Sequence, residues 1–166
     1  MEKVILVDEN DNQVGLKDKI KAHLGNGTLH RAFSVFIFNN KKEILLQQRA
    51  KEKMLWPMYW TNTCCSHPRE SEGYQEAGQR RLKEELGFTC NLKYIGKFQY
   101  QANYKDIGAE NELCSVLVGE YEGEVNVDPK EVNDFKWIDF EELKKDVLEN
   151  PDNYTPWFKI ELEKFF

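Results

Sequence analysis

The chain has 166 residues, of which 40% are apolar, 31% charged and 13% aromatic, and 23 basic against 29 acidic side chains leave a net charge of −6. That length makes one ordinary domain with a core of its own, and no apolar run approaches the ~20 residues a bilayer requires, so disordered, collagen-like and membrane-spanning classes are excluded. The acidic balance argues against nucleic acid or an anionic membrane surface as partner, and an anionic ligand would need a local basic pocket.

Val4 to Val7 forms a first apolar run before Asp8, long enough for a strand but too short for a secretory leader, so a soluble, cytoplasmic protein is expected. Ala32 to Phe38 and Ile44 to Gln48 read as strands joined at the Asn39-Asn40 turn signal, and Trp60 to Cys65 as a further strand leading to His67. Ser71 to Leu86 reads as a helix, with Ser71 as N-cap, Gly87 at the left-handed C′ position, and Gly78, Leu82 and Leu86 on one face. Strands Tyr94 to Tyr104, Leu113 to Tyr121 and Val132 to Ile138 follow. Asp139 with Glu142 then resembles a capping box for a helix to about Leu148, and Thr155-Pro156 supplies a cap and first-turn proline for a terminal helix. The pattern predicts one α/β or α+β domain, a mixed sheet with helices on its faces. Cys64, Cys65, Cys90 and Cys114 lack the spacing of a disulfide framework and are expected as free thiols.

Only three histidines are present, His23, His30 and His67, and Glu110-Asn111-Glu112 places two carboxylates at i, i+2, on one face of an extended strand. Three neutral imidazoles and two carboxylates make a divalent transition-metal site with more donors than the four of a structural zinc. Solvated carboxylates beside capping or packed histidines would give the same spacing. Cys65, two residues before His67, shares its face, whereas Cys64 points the other way as a small buried hydrophobe. Nearby positive charge would favour the Cys65 thiolate. Arg81 and Glu85 are i, i+4 neighbours, as in a plain surface ion pair. Arg49, Lys53 and Lys19 could join Arg81 in a polyanion pocket.

Glu72 to Phe88 resembles a degenerate Nudix box, G-x5-E-x7-R-E-U-x-E-E-x-G-U with U aliphatic. Ser66 stands at its first glycine, Glu72 at the following acid, Arg80 at the arginine, and Arg81 where a metal-binding glutamate belongs, which removes part of a hydrolase's magnesium site. Over nearly its full length the chain resembles the type I isopentenyl-diphosphate isomerases, a Nudix-fold family that moves a carbon–carbon double bond. The matching pieces are Lys19-Ile20-Lys21-Ala22-His23, Leu29-His30-Arg31-Ala32-Phe33-Ser34, Trp60-Thr61-Asn62, Cys65-Ser66-His67-Pro68, Glu110-Asn111-Glu112-Leu113-Cys114 and Thr155-Pro156-Trp157.

The resemblance implies a single Nudix-like domain over residues 1–166, a mixed sheet sandwiched by helices, that converts isopentenyl to dimethylallyl diphosphate in isoprenoid biosynthesis. It implies His23, His30, His67, Glu110 and Glu112 as ligands of one Zn²⁺ or Mn²⁺, and Glu85 as ligand of a Mg²⁺ that accompanies the diphosphate. Cys65 and Glu112 become the acid–base pair, Tyr100 a partner in proton transfer, and Trp157 an aromatic face near the reacting carbon. Lys19, Arg49, Lys53 and Arg81 fall on diphosphate-binding positions. The expected partner is a small-molecule diphosphate, with neither nucleic acid nor membrane, acting on a monomer or weak homodimer. A Nudix hydrolase of nucleoside diphosphate derivatives and a noncatalytic metal-binding module are the competing readings. Arg81 speaks against the first, and the second leaves Cys65 and the basic set unexplained.

Overall fold

In chain order the strands are β1 (Lys3–Val7), β2 (Gln13–Asp18), β3 (His30–Phe38), β4 (Glu43–Arg49), β5 (Trp60–Thr61), β6 (Cys64–Ser66), β7 (Leu92–Tyr104), β8 (Gly108–Glu120) and β9 (Val132–Asp139). The helices are α1 (Lys19–Ala22), α2 (Tyr74–Leu86), α3 (Phe140–Glu149) and α4 (Pro156–Phe165), in a computed structural model that describes residues 1–166. All the strands belong to one mixed sheet. Central β8 runs parallel to β3 on one side and antiparallel to β7 on the other.

The second edge of β3 is divided among three partners in series: β1 at Leu6↔His30, β6 from Phe33↔Ser66 to Val35↔Cys64, and β4 at Phe38↔Ile44. The predicted hairpin at Asn39-Asn40 therefore exists only at its mouth. Asn39 Oδ1 accepts from the backbone N–H of Lys41 and Glu43 and closes the turn, after which β4 departs to pair with β9 and β5. Buried polar side chains serve the backbone where the strands splay, Thr63 reaching both β3 and β4 and Asn62 reaching β3. Thr63 Oγ1 accepts from Ile37 N and donates to Leu45 O, and Asn62 Nδ2 donates to Val35 O. Buried backbone groups that lose a strand partner must find another, and these side chains supply it. For that reason the single strand expected from Trp60 to Cys65 is two short strands broken at Asn62 and Thr63.

Alternation along β3 divides the core. Phe33, Val35 and Ile37 face α2, packing with Ala77, Leu82, Leu86 and Cys64. Ala32 and Phe36 face the other way, with Trp157, Phe158 and Leu162 of α4 and Leu143 of α3. Gly78 lets α2 approach the sheet closely, since a Cβ there would lie 2.6 Å from Leu92. Gly87 closes α2 with a left-handed φ of 77°, as expected. The other end differs from expectation: α2 starts at Tyr74 after an N-cap at Gly73, and Ser71 has a left-handed φ of 66°. Glu72 is the cause, because it accepts from Arg69 N and pairs through both oxygens with Arg80, holding residues 69–73 in a turn. Asp139 caps α3 at the N–H groups of Glu141 and Glu142. Thr155 precedes Pro156 as expected but makes no capping bond, its hydroxyl lying 2.8 Å from Thr61 Oγ1 instead. None of the helices is long and apolar enough to cross a membrane, and all four cysteines are free.

Candidate active site

The sheet register assembles the predicted donors. His30 lies opposite Glu112 across β3 and β8, and Tyr100 lies opposite Glu112 across β7 and β8, so one row crosses three strands. Glu110 is two residues back on the same face; β8 starts at Gly108 rather than Leu113, which puts the whole Glu110-Asn111-Glu112 segment inside the strand. His23 follows α1 and is tied to β8 by the N–H of Ala109, which donates to its carbonyl at 2.8 Å. Gly108 permits that approach, since a Cβ there would meet the same carbonyl at 2.4 Å. His67 follows β6. One ligand atom from each of His23, His30, His67, Glu110 and Glu112 lies within 4.8 Å of all the others, and all five residues are buried.

The surroundings prepare the imidazoles for a cation. His23 Nδ1 is 2.6 Å from Lys19 O and His30 Nδ1 is 2.7 Å from Thr28 O. Carbonyls only accept, so both Nδ1 atoms carry a hydrogen and both Nε2 atoms turn toward the cluster, the usual arrangement behind a metal-bound histidine. His30 Nε2 is buried without a hydrogen-bond partner. A divalent ion would satisfy it, and the donor set fits such an ion. Burial disfavours charge on His23, but the Glu110 carboxylate beside it wins and raises it to about 9. His67 is pushed well below the ordinary histidine range by burial and by His30. Burial works against ionised Glu112, yet the pull of the nearby His30 imidazole and the hydrogen bond from Tyr100 keep its carboxyl low; Tyr100 Oη donates to Glu112 Oε2 at 2.5 Å.

Cys65 lines the same cavity as this cluster, along with Trp157 and Tyr100. The alternation expected along β6 holds, Cys64 entering the α2 side of the core and Cys65 turning to α4. Trp157 Nε1 donates to Cys65 Sγ at 3.3 Å. The charge balance around this sulfur differs from expectation. Burial, with Glu161 adding, pushes the thiol up to about 12 against the opposing pull of Arg49 and Trp157, so without ligands it is a neutral thiol. Ser66 lies in β6 without a positive φ, and a side chain at the family's glycine position costs no backbone strain there.

Lys19, Arg49, Lys53 and Arg81 all line this cavity, as the basic pocket requires. Lys19 pairs with Glu2, while Lys53 and Arg81 share Glu131. Arg49 donates to Leu55 O and Trp56 O and lies 5.3 Å over the Trp157 ring. Glu85 sits behind Arg81 rather than on the cavity wall, 3% exposed, accepting from Arg81 at 2.5 Å and from Gln47 at 2.9 Å.

Residue-by-residue reading missed Glu161, a fully buried carboxyl on α4 with one oxygen 3.8 Å from Cys114 Sγ and the other unpartnered. Burial, with the Glu112 charge adding, raises it from about 4.5 to about 8. Between those values the folded chain holds a proton that the unfolded chain has released, so this group lowers stability as pH rises, in full above about pH 8. Glu161→Gln should therefore gain thermal stability over the parent near pH 9 and little near pH 5. An equal difference in melting temperature at both pH values would refute this origin.

The chain matches the family model described as "NUDIX domain" over residues 28–158. It is 49% identical over 163 residues to "Isopentenyl-diphosphate Delta-isomerase 1" of Photorhabdus laumondii, covering 97% of this chain and 93% of that protein. It is 43% identical to "Isopentenyl-diphosphate Delta-isomerase" of Halorhodospira halophila, covering 96% and 92%. Among solved structures, a protein from Deinococcus radiodurans superposes with a TM-score of 0.73 at 18% identity, covering 90% of each chain, and a MutT protein from Methanosarcina mazei with 0.68 at 19%, covering 82% and 92%. These two likenesses speak to the fold.

Proposed function

The chain belongs to the isopentenyl-diphosphate Delta-isomerases, within the NUDIX domain family, and we propose that its cavity converts isopentenyl diphosphate to dimethylallyl diphosphate by proton transfer between Cys65, Glu112 and the substrate. One observation carries the reading: four of the five clustered donors, with His30 buried behind them, line a single cavity together with the Cys65 thiol and four cations. A metal-binding module would have no use for the thiol and the cations. For a hydrolase the acid that Arg81 replaces is absent, and Arg81 itself neutralises Glu84 and Glu85.

Moving an unactivated double bond requires a proton to arrive at one carbon and another to leave a second, through a tertiary carbocation-like state from which water must be kept. Cys65 and Glu112 exchange these protons with the substrate; Tyr100 holds Glu112 Oε2 and steadies its protonation state. The indole of Trp157 presents a π-face to the passing cation, an attraction of about 2 kcal/mol in a desolvated site. His23, His30, His67, Glu110 and Glu112 would hold one Zn²⁺ or Mn²⁺, whose Lewis acidity lowers the proton affinity of the carboxyl groups around it. Glu85 would become the protein's ligand for the Mg²⁺ that comes with the diphosphate once Arg81, which covers and pairs with it, turns to the phosphates, in keeping with an ion that takes one or two carboxylates and completes its shell with phosphate oxygens. Incubation with isopentenyl diphosphate tests the reading directly: dimethylallyl diphosphate is the expected product, and released phosphate or no conversion would overturn it.

The cations predict a separable result. Lys53→Ala should raise KM more than it lowers kcat, since its interaction is shared by ground and transition states, and should fold normally. Arg81→Ala should also raise KM but lose about 3–5 kcal/mol of stability, because buried Glu85 is left with Gln47 alone. Unchanged KM in both variants would remove these residues from the diphosphate site.

A further inference from the structure

Asn62 is fully buried, and the orientation of its side-chain amide is determined by its neighbours. Nδ2 lies 3.1 Å from Val35 O and 2.9 Å from Cys64 O, and since carbonyls only accept, both of its hydrogens are engaged there. Oδ1 therefore faces the other way and can only accept. It does so twice, from Thr61 Oγ1 at 2.9 Å and from Cys65 Sγ at 3.0 Å. Thr61 has a single hydroxyl hydrogen, so it must in turn accept from Thr155 Oγ1 at 2.8 Å. Cys65 Sγ accepts from Trp157 Nε1. The direction of every bond follows, and they close a ring from Thr155, which precedes α4, through Thr61, Asn62 and Cys65, back to the first turn of that helix at Trp157.

We propose that Asn62 is the positioning residue of Cys65: its carbonyl oxygen is the fixed acceptor that, opposite the Trp157 N–H, locates the sulfur on the cavity wall. The inference rests on the reading of Cys65 as a proton-transfer residue and adds a role for a side chain that otherwise only satisfies backbone carbonyls of β3 and β6. A residue with only that structural part affects stability alone. A positioning residue affects turnover in protein that is already folded, because a misplacement of about 1 Å can cost up to 100-fold.

The experiment compares Asn62→Ala, Thr61→Val and Cys65→Ala with the parent, well below each thermal transition. Folded Asn62→Ala should lose about 10- to 100-fold in kcat with KM for isopentenyl diphosphate and metal content close to the parent's. Thr61→Val keeps both Nδ2 bonds and removes the hydroxyl that donates to the shared acceptor, accepts from Thr155 and lies 3.9 Å from Cys65 Sγ; it should lose about two- to tenfold in kcat, the scale of one net hydrogen bond, and decides the matter if Asn62→Ala does not fold. Unchanged kcat in folded Asn62→Ala, or in Thr61→Val where the first variant fails to fold, overturns the proposal while inactive Cys65→Ala leaves the reading of the site intact. Active Cys65→Ala would instead overturn the role of Cys65 itself.

Discussion

Cys65→Ala is expected to lose two to four orders of magnitude in kcat with metal content preserved, the scale on which general acid–base residues contribute, while Cys64→Ala is nearly silent in turnover. The contrast follows from β6, where Cys64 lies opposite Val35 and Cys65 opposite Ser34, so adjacent thiols enter opposite sides of the sheet. Cys64 packs with Leu82 and Leu86 under α2, whereas Cys65 meets Trp157 and the cavity. Truncating Cys64 removes a small buried side chain, which affects stability modestly and proton transfer hardly at all. Steady-state rates with metal analysis on both variants decide the point. A loss below tenfold for Cys65→Ala is incompatible with its role, and an inactive, fully folded Cys64→Ala would invert the assignment of the two thiols.

The parts of this site that depend on short spacings were legible in the sequence. Glu110 and Glu112 share a face because strands alternate with period two, and Arg81 meets Glu85 because helices repeat nearly every four residues. The pairing of His30 with Glu112 depends on a parallel register between strands 82 positions apart in sequence, which no local pattern encodes. Donor chemistry offered the three histidines and two carboxylates as one possible group, and resemblance, rather than periodicity, joined them. Strand β2 and the short helix α1 escaped because Gln13–Asp18 is half exposed and Lys19–Ala22 is a single turn. The start of α2 was misread because local propensity favoured Ser71 as a cap, whereas the Glu72 pairing with Arg80, formed only once the helix is in place, holds the preceding residues in a turn. Glu161 reads as part of a polar helix face, and only the packing of α4 on the sheet buries it. Asn62 reads as a strand residue; its use as a polar partner for Val35 and Cys64 depends on how β6 lies against β3, which is a tertiary fact.

Metal uptake should release protons. His23 is raised to about 9 while His67 stays well below the ordinary histidine range, so in the metal-free protein at neutral pH the cluster carries its proton on His23. A divalent ion must displace that proton, since only neutral imidazole offers a lone pair, and affinity should therefore climb with pH until about 9 and then level off. Titration calorimetry with zinc or manganese near pH 7.5, in two buffers of different ionisation enthalpy, should report about one proton released per ion bound. The bound ion should also raise the melting temperature, because a ligand that binds only the folded chain at about 1,000 times its Kd adds roughly 4 kcal/mol. In His67→Ala a donor that never competes with a proton is gone, and the variant should lose the metal, the thermal gain and turnover together. Full activity after chelation, with no metal found by elemental analysis, would eliminate the metal site. A metal-replete His67→Ala would remove only that histidine from the ligand set, and because His67 and Glu112 approach each other at 3.0 Å, it would reassign His67 to holding the carboxylate in place.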